Sequence, residues 1–223
     1  LLEPLNRAAL RIARKCADNP PKGLGVSLMA GNISNSNIWE YNNPKIQTQV
    51  KNMFAEMVKW AKEEKADLII GETFYYAEEA FAALEEIKKA DLPSVITISP
   101  MGENKMRDDY TILETCKKLE ELGADVVGLN CFRGPATMLP YIKKIRKELK
   151  CHVAALPVPY RTTEQYPTFF NLPDNNGCGC PSPHGRTFPT ALDPLQCNRY
   201  EIGKFAKEVY DLGVKYIGVC CGA

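Results

Sequence analysis

Short apolar segments alternate with amphipathic helical segments along the chain, and this alternation constrains the fold more than any other feature. Strand-like segments rich in apolar and β-branched residues are predicted at 24–34, 66–74, 93–100, 124–131, 151–158 and 214–220. Helices are predicted by apolar spacing at the start of the chain and at 48–65, 77–90, 108–123, 136–150 and 198–213. Strands that alternate with helices form a parallel sheet, so the sequence predicts an α/β fold.

Two α/β architectures compete, a doubly wound open sheet and a (β/α)8 TIM barrel. No G-x-G-x-x-G pattern follows the first strand, which argues against a dinucleotide-binding doubly wound fold. Polar or reactive side chains stand where predicted strands end, at Asn32, Glu72, Asn130, Cys131 and Cys220. The strand ends of a barrel converge on one site. We therefore predict one domain over 1–223, a (β/α)8 barrel that lacks its first two strands and last helix in this sequence.

The bulk composition excludes several classes of function. The chain has 223 residues, of which 45% are hydrophobic, and this is enough for one sizeable core. Its formal net charge of +1 gives no electrostatic basis for nucleic-acid binding, and no apolar run is long enough to span a membrane. Nine cysteines, an odd and scattered set, predict a reduced cytoplasmic protein whose clustered thiols serve metal binding or catalysis.

The chain closes on GVCCGA, which places two adjacent cysteines at the end of a predicted strand. A catalytic zinc site takes three protein ligands and keeps a fourth position open. Cys131, Cys220 and Cys221 would provide these ligands if their strand ends face each other across the barrel mouth, with Gly222 turning the chain and Gly218 allowing close packing. Burial as ordinary core cysteines and a strained disulfide between Cys220 and Cys221 remain alternatives.

Other candidate groups are less specific. Cys178, Cys180 and His184 lie in a polar loop and form a possible second metal cluster, although a lid or exposed loop thiols fit as well. Glu72 closes an apolar strand, so its charge requires a partner, either the amino group of a ligand or a helix lysine. Three aromatic residues that follow strand ends could line a pocket or simply pack, namely Trp39, Tyr75 and Tyr76.

Three motifs give the chain a resemblance to a known family. The segments GETF at 71–74, GLNC at 128–131 and GVCCG at 218–222 resemble those of the zinc-dependent homocysteine S-methyltransferases. The resemblance extends over essentially the whole chain in strand order, and within the family it is closest to the betaine–homocysteine enzymes. It implies zinc as the cofactor and methyl transfer from an onium donor, most simply betaine, to homocysteine, giving methionine.

The resemblance also implies roles for individual residues. Cys131, Cys220 and Cys221 correspond to the zinc ligands of the family, Glu72 to the acid that binds the homocysteine amino group, and Asn130 to the substrate-site asparagine. The Asp-Gly pair of the family's first strand has no counterpart here, and most of the aromatic donor cage belongs to the same upstream region. A sulfonium donor and a non-catalytic zinc-binding or redox-sensing protein therefore stay open as alternatives. The resemblance separately suggests a homo-oligomer.

Overall fold

The computed structural model describes residues 2–23, 25–102, 104–174 and 186–222, in which helices and strands alternate as the sequence predicts. The helices of this part are α1 (Leu2–Asp18), α2 (Pro44–Glu63), α3 (Ala77–Lys89), α4 (Ile112–Glu121), α5 (Pro135–Glu148) and α6 (Arg199–Asp211). The strands are β1 (Ala30–Ser34), β2 (Leu68–Phe74), β3 (Ser94–Ile98), β4 (Val126–Asn130), β5 (His152–Leu156) and β6 (Tyr216–Ile217). Short 3-10 helices at Phe169–Asn171 and Asp193–Leu195 lie between β5 and α6.

The order of the strands distinguishes the two candidate architectures. All neighbouring strands are parallel, and each pairs with the next in the chain, from β1 through to β6. A doubly wound sheet reverses its strand order at a switch point, and the described strands contain no such reversal. Sequential parallel winding is that of a (β/α) barrel, so the predicted barrel type is confirmed and the doubly wound sheet is excluded.

The first and last strands are shorter than predicted, for reasons of pairing. β1 has only β2 as a described neighbour, and the ladder between them begins where Ala30 meets Leu68. Residues 25–29 therefore lie outside the ladder, although the Asp67 carboxylate accepts from the Met29 amide at 2.6 Å. β6 pairs with β5 over two residues only, after which the chain leaves the ladder toward the cysteines.

Alternate side chains of the strands face the helices and form the main core. Ile69, Ile96, Val127 and Val153 are fully buried between the sheet and the helical layer. The residues between them face the side of the sheet that is turned away from the helices. On β4, Gly128 allows a close approach to β5. A Cβ atom at Gly128 would lie 2.0 Å from a β5 carbonyl oxygen. Among the described residues, no helix has the length and apolar character of a membrane span.

Candidate metal centre

Three thiols meet at the carboxyl ends of β4 and β6. The Sγ atoms of Cys131, Cys220 and Cys221 all lie within 4.8 Å of one another. Cys131 Sγ is 3.6 Å from Cys221 Sγ, which in turn is 3.9 Å from Cys220 Sγ. Cys131 is buried, Cys220 is partly buried and Cys221 is exposed, so the cluster opens to solvent on one side. The structure thus brings together all three cysteines that the sequence predicts as metal ligands.

The end of β5 anchors both sides of this thiol cluster. The Cys131 amide donates to the Leu156 carbonyl at 3.0 Å, and the Cys220 amide donates to the Pro157 carbonyl at 2.8 Å. Cys131 and Phe132 both adopt left-handed backbone angles, with φ of 58° and 53°, which turn the chain sharply where β4 ends. The thiols therefore meet over the intervening strand, rather than across the barrel mouth as the sequence suggested.

Gly222 and Gly218 behave as expected from the GVCCGA motif. Gly222 has a φ of 131°, and a Cβ atom there would lie 2.4 Å from the ring of Pro159. Only glycine fits such a backbone and such an approach without strain. A Cβ atom at Gly218 would come within 3.3 Å of the Leu156 side chain, which reflects close packing. Both adjacent thiols can therefore face Cys131, although a flat strand would separate them.

The three thiols differ in acidity because each one affects the pKa of the others. A hydrogen bond from Cys131 lowers the pKa of Cys220 to about 6, and burial opposes this shift. The pKa of Cys131 is raised, mainly because its thiol donates this hydrogen bond to Cys220 and also because the residue is buried. Burial raises the pKa of Cys221, and the charge on Cys220 adds to this increase. Complete ionisation thus requires a cation, and three thiolates with one open side fit zinc, as predicted.

Glu72 closes β2 with its carboxylate held by two amides. Oε1 accepts from Asn32 Nδ2 at 2.7 Å, and Oε2 accepts from Asn130 Nδ2 at 3.3 Å. No ion pair among the described residues involves Glu72, so the alternative of a structural bridge to a helix lysine is not found there. The two amides orient the carboxylate without neutralising it, which leaves its charge for a cationic ligand.

Asn130 connects Glu72 with the thiols. Its side chain is almost completely buried, and its Nδ2 atom lies 2.7 Å from Thr73 Oγ1 and 3.7 Å from Cys220 Sγ. Its Oδ1 atom accepts from the Thr73 amide at 3.0 Å. The sequence predicts that Asn130 binds substrate, and the structure places its side chain between Glu72 and the Cys220 thiol.

An aromatic cluster lies beside the thiols, and among its rings the sequence pointed to Tyr75 alone. Its rings pack around Cys131 and Cys220, and they belong to Tyr75, Phe132, Tyr160, Phe169, Phe170 and Phe188. Tyr75 stacks on Phe132 with ring centroids 5.5 Å apart. Most of these rings come from the long segment after β5, where FF at 169–170 was the available signal.

Two further predictions have simple outcomes. Trp39 is buried in the main core and Tyr76 packs against it, so the packing interpretation holds for both, whereas Tyr75 joins the aromatic cluster. The second candidate cluster, Cys178, Cys180 and His184, lies outside the described residues.

Known proteins resemble the chain in sequence and in fold. The family model for homocysteine S-methyltransferase matches residues 1–223. The orangutan (Pongo abelii) S-methylmethionine–homocysteine S-methyltransferase BHMT2 is 33% identical, and the alignment covers 99% of this chain and 56% of that protein. Bovine (Bos taurus) betaine–homocysteine S-methyltransferase 1 is 32% identical, with 99% and 50% covered.

Solved structures support the fold. The metallated form of the homocysteine methyltransferase MmuM from Escherichia coli superposes with a TM-score of 0.68 at 14% identity, covering 99% of this chain and 67% of that one. The chain spans about half the length of the curated relatives it matches. Because the family model covers every residue, the chain belongs to the homocysteine S-methyltransferase family.

Proposed function

We propose that the chain transfers a methyl group from an onium donor to the thiol of homocysteine, with zinc held by Cys131, Cys220 and Cys221. The observation that carries this proposal is the clustering of three Sγ atoms within 4.8 Å of one another. Asn130 links this cluster to Glu72, whose carboxylate forms no ion pair among the described residues. Membership of the family supports it independently. The proposal covers the whole of 1–223 as one partial barrel domain that binds homocysteine.

Each part of the site has a task in this reaction. Zinc bound to three thiolates would supply an electron-rich fourth position that keeps a substrate thiol in its thiolate form. Glu72 accepts the substrate ammonium group, which places the sulfur over the cluster and limits its orientations. The aromatic cluster excludes water from the side of Cys131 and Cys220. In the reaction a sulfur–methyl bond forms while the bond from the methyl group to the onium atom breaks, and the onium atom keeps the electron pair.

Betaine is our preferred donor, and a sulfonium such as S-methylmethionine or dimethylsulfoniopropionate is the alternative. The identities to a betaine-dependent and an S-methylmethionine-dependent relative are nearly equal, at 32% and 33%, so they favour neither donor. Aromatic faces attract both classes of cation, and the aromatic cluster would offer such faces next to the thiols. Our preference for betaine rests on the resemblance of the segment from the long loop through GVCCG to the betaine-dependent members of the family.

The test combines metal analysis with methyl transfer by the purified chain. Cys220→Ala and Cys221→Ala should each lose bound zinc and methionine formation, because two thiolates no longer complete the ligand set. Cys16→Ala is the matched control, since Cys16 is an exposed cysteine of α1 that lies outside the cluster. Each variant is assayed with homocysteine and a panel of betaine and the two sulfonium donors. A Cys220 or Cys221 variant with full zinc occupancy and turnover would contradict the assignment.

The same experiment separates the non-catalytic alternative. A zinc-storing or redox-sensing protein would bind zinc through the same thiols, release it on oxidation, and form no methionine with any donor. A reducing cytoplasmic setting is part of our proposal, because the thiols bind metal only when reduced. The proposed partners are the two small-molecule substrates, and self-association stays a prediction that a sedimentation measurement would test.

A further inference from the structure

We propose that Ser99 and Asn130 form a positioning pair that fixes how Glu72 is presented to the substrate amino group beside the Cys220 thiol. The inference rests on the proposed function and adds to it a residue, Ser99, that touches neither the thiols nor Glu72 in any described contact. Ser99 follows β3, whereas Glu72 belongs to β2 and Asn130 ends β4. The pair therefore links three strand ends at one point.

The orientation of the Asn130 carboxamide is forced by its donors. The Thr73 amide can only donate, and it lies 3.0 Å from Asn130 Oδ1, which accepts. The single Ser99 hydroxyl proton is shared between this oxygen, at 3.0 Å, and the Asn130 main-chain carbonyl oxygen, at 2.6 Å. With the oxygen fixed in this way, Nδ2 lies on the opposite side, where its two hydrogens face Thr73 Oγ1 at 2.7 Å and Glu72 Oε2 at 3.3 Å, and Cys220 Sγ is 3.7 Å away.

Ser99 also forms hydrogen bonds with main-chain carbonyls at the ends of β4 and β2. Its hydroxyl donates to the Asn130 carbonyl at 2.6 Å, and its amide donates to the Phe74 carbonyl at 2.9 Å. The residue has no exposed surface, so water does not replace these contacts when they are lost. Ser99 therefore contacts the end of β4 through its hydroxyl and the end of β2 through its amide, and a buried residue with both bonds is well suited to set the separation of these strand ends.

Thr73 shows that the pair constrains the backbone next to Glu72. Thr73 adopts a φ of 64°, which β-branched residues strongly disfavour, and the pairing of β2 with β3 shifts register between Gly71 and Phe74. The Asn130 carboxamide bonds both the amide and the hydroxyl of Thr73. This clamp holds the irregular backbone that aims the Glu72 carboxylate.

The consequence is a specific loss of amino-group recognition when the pair is broken. Without the Ser99 hydroxyl, the Asn130 carboxamide loses a donor to its oxygen and can rotate more freely. The orientation of the Glu72 carboxylate, which accepts from Asn130 Nδ2, is then less restricted. Recognition of the substrate sulfur depends on the thiol cluster and should change little. A residue with only a structural role would instead weaken the binding of every thiol ligand alike.

The test compares two thiol ligands on the zinc-loaded chain by calorimetry, homocysteine and its deaminated analogue γ-mercaptobutyrate. The measured quantity is the ratio of the two dissociation constants, which reports the contribution of the amino group. In Ser99→Ala this preference for homocysteine should fall about fivefold, the effect of one lost hydrogen bond. Thr73→Val, which removes a different contact of Asn130, should lower the same ratio and serves if Ser99→Ala does not fold.

Ser94→Ala is the matched control. Ser94 lies at the other end of β3 and is also buried. Its hydroxyl donates to Asp125, the residue before β4, at 3.0 Å. The ratio of the two dissociation constants in Ser94→Ala should equal that of the wild type. An unchanged ratio in a folded Ser99→Ala or Thr73→Val, or an equal fall in Ser94→Ala, overturns the inference. A wild-type chain that binds no zinc, or that does not prefer homocysteine, refutes the proposed function instead.

Discussion

Replacing Glu72 with glutamine tests the most direct chemical role in the site. The side chain keeps its size, but it loses its charge and one of its two acceptor oxygens. In the wild type both oxygens accept from amides, Oε1 from Asn32 and Oε2 from Asn130. Glutamine would therefore set its own amide group against one of these donors, so the variant loses orientation as well as charge.

The size of the effect follows from the contact that is lost. A hydrogen bond to a charged group contributes about 1.5–3 kcal/mol, which corresponds to a roughly 10- to 140-fold increase in the dissociation constant. Glu72 is partly accessible to solvent, so we expect a value in the lower half of this range. Zinc binding should not change, because no thiol of the cluster bonds to Glu72 in the described contacts.

The assay is calorimetric titration of the zinc-loaded chain with homocysteine, with γ-mercaptobutyrate as the second ligand. Glu72→Gln should weaken the binding of homocysteine and leave that of the deaminated analogue nearly unchanged. Glu40→Gln, at an exposed position in the loop after β1, is the matched control for the loss of one negative charge. Equal affinity of wild type and Glu72→Gln for homocysteine, at equal zinc content, would refute the assigned role.

Two predictions concern the scaffold. Burial raises the pKa of Glu79, whose Oε1 accepts from the amide and the hydroxyl of Ser36. The free energy of unfolding of the wild type should therefore fall as the pH rises from the pKa of this carboxyl in the unfolded chain to its higher pKa in the folded chain. Glu79→Gln keeps that acceptor and should flatten this decline in urea unfolding at several pH values; an unchanged slope would contradict it. Gly128→Ala should cost about 3 kcal/mol or more, since its Cβ would overlap the Ala154 carbonyl, whereas Gly203→Ala in an open helical position should slightly stabilise. Equal unfolding midpoints for these two glycine variants would refute the packing argument.

The winding of the sheet and the three thiols were accessible from sequence because both depend on local patterns. Each apolar run followed by a helix predicts one parallel strand, and parallel strands place their carboxyl ends on one edge. Cys131, Cys220 and Cys221 each follow such a run, so their meeting required only that the strands be close. The strand limits were less predictable, because β1 begins and β6 ends where the neighbouring strand begins or stops offering hydrogen bonds.

The aromatic cluster was not accessible in this way. Phe169, Phe170 and Phe188 belong to the long segment between β5 and α6, whose composition predicts a loop but not where it packs. Their positions depend on contacts with Tyr160 within the same segment and with Phe132, which is distant in sequence. Periodicity carries no information about such contacts, since it reports only which face of a regular element is buried.

Thr73 and Asn130 indicate why the strand ends themselves resist prediction. Local propensity places threonine firmly in the extended region, yet Thr73 is left-handed, because the Asn130 carboxamide bonds its amide and its hydroxyl together. The same carboxamide reaches Glu72 and lies next to Cys220. The strain of about 1–3 kcal/mol expected for such a residue is therefore offset by bonds that also orient the site. Conformational strain and site geometry have one physical origin here, which is why the Ser99 and Thr73 variants are informative about function.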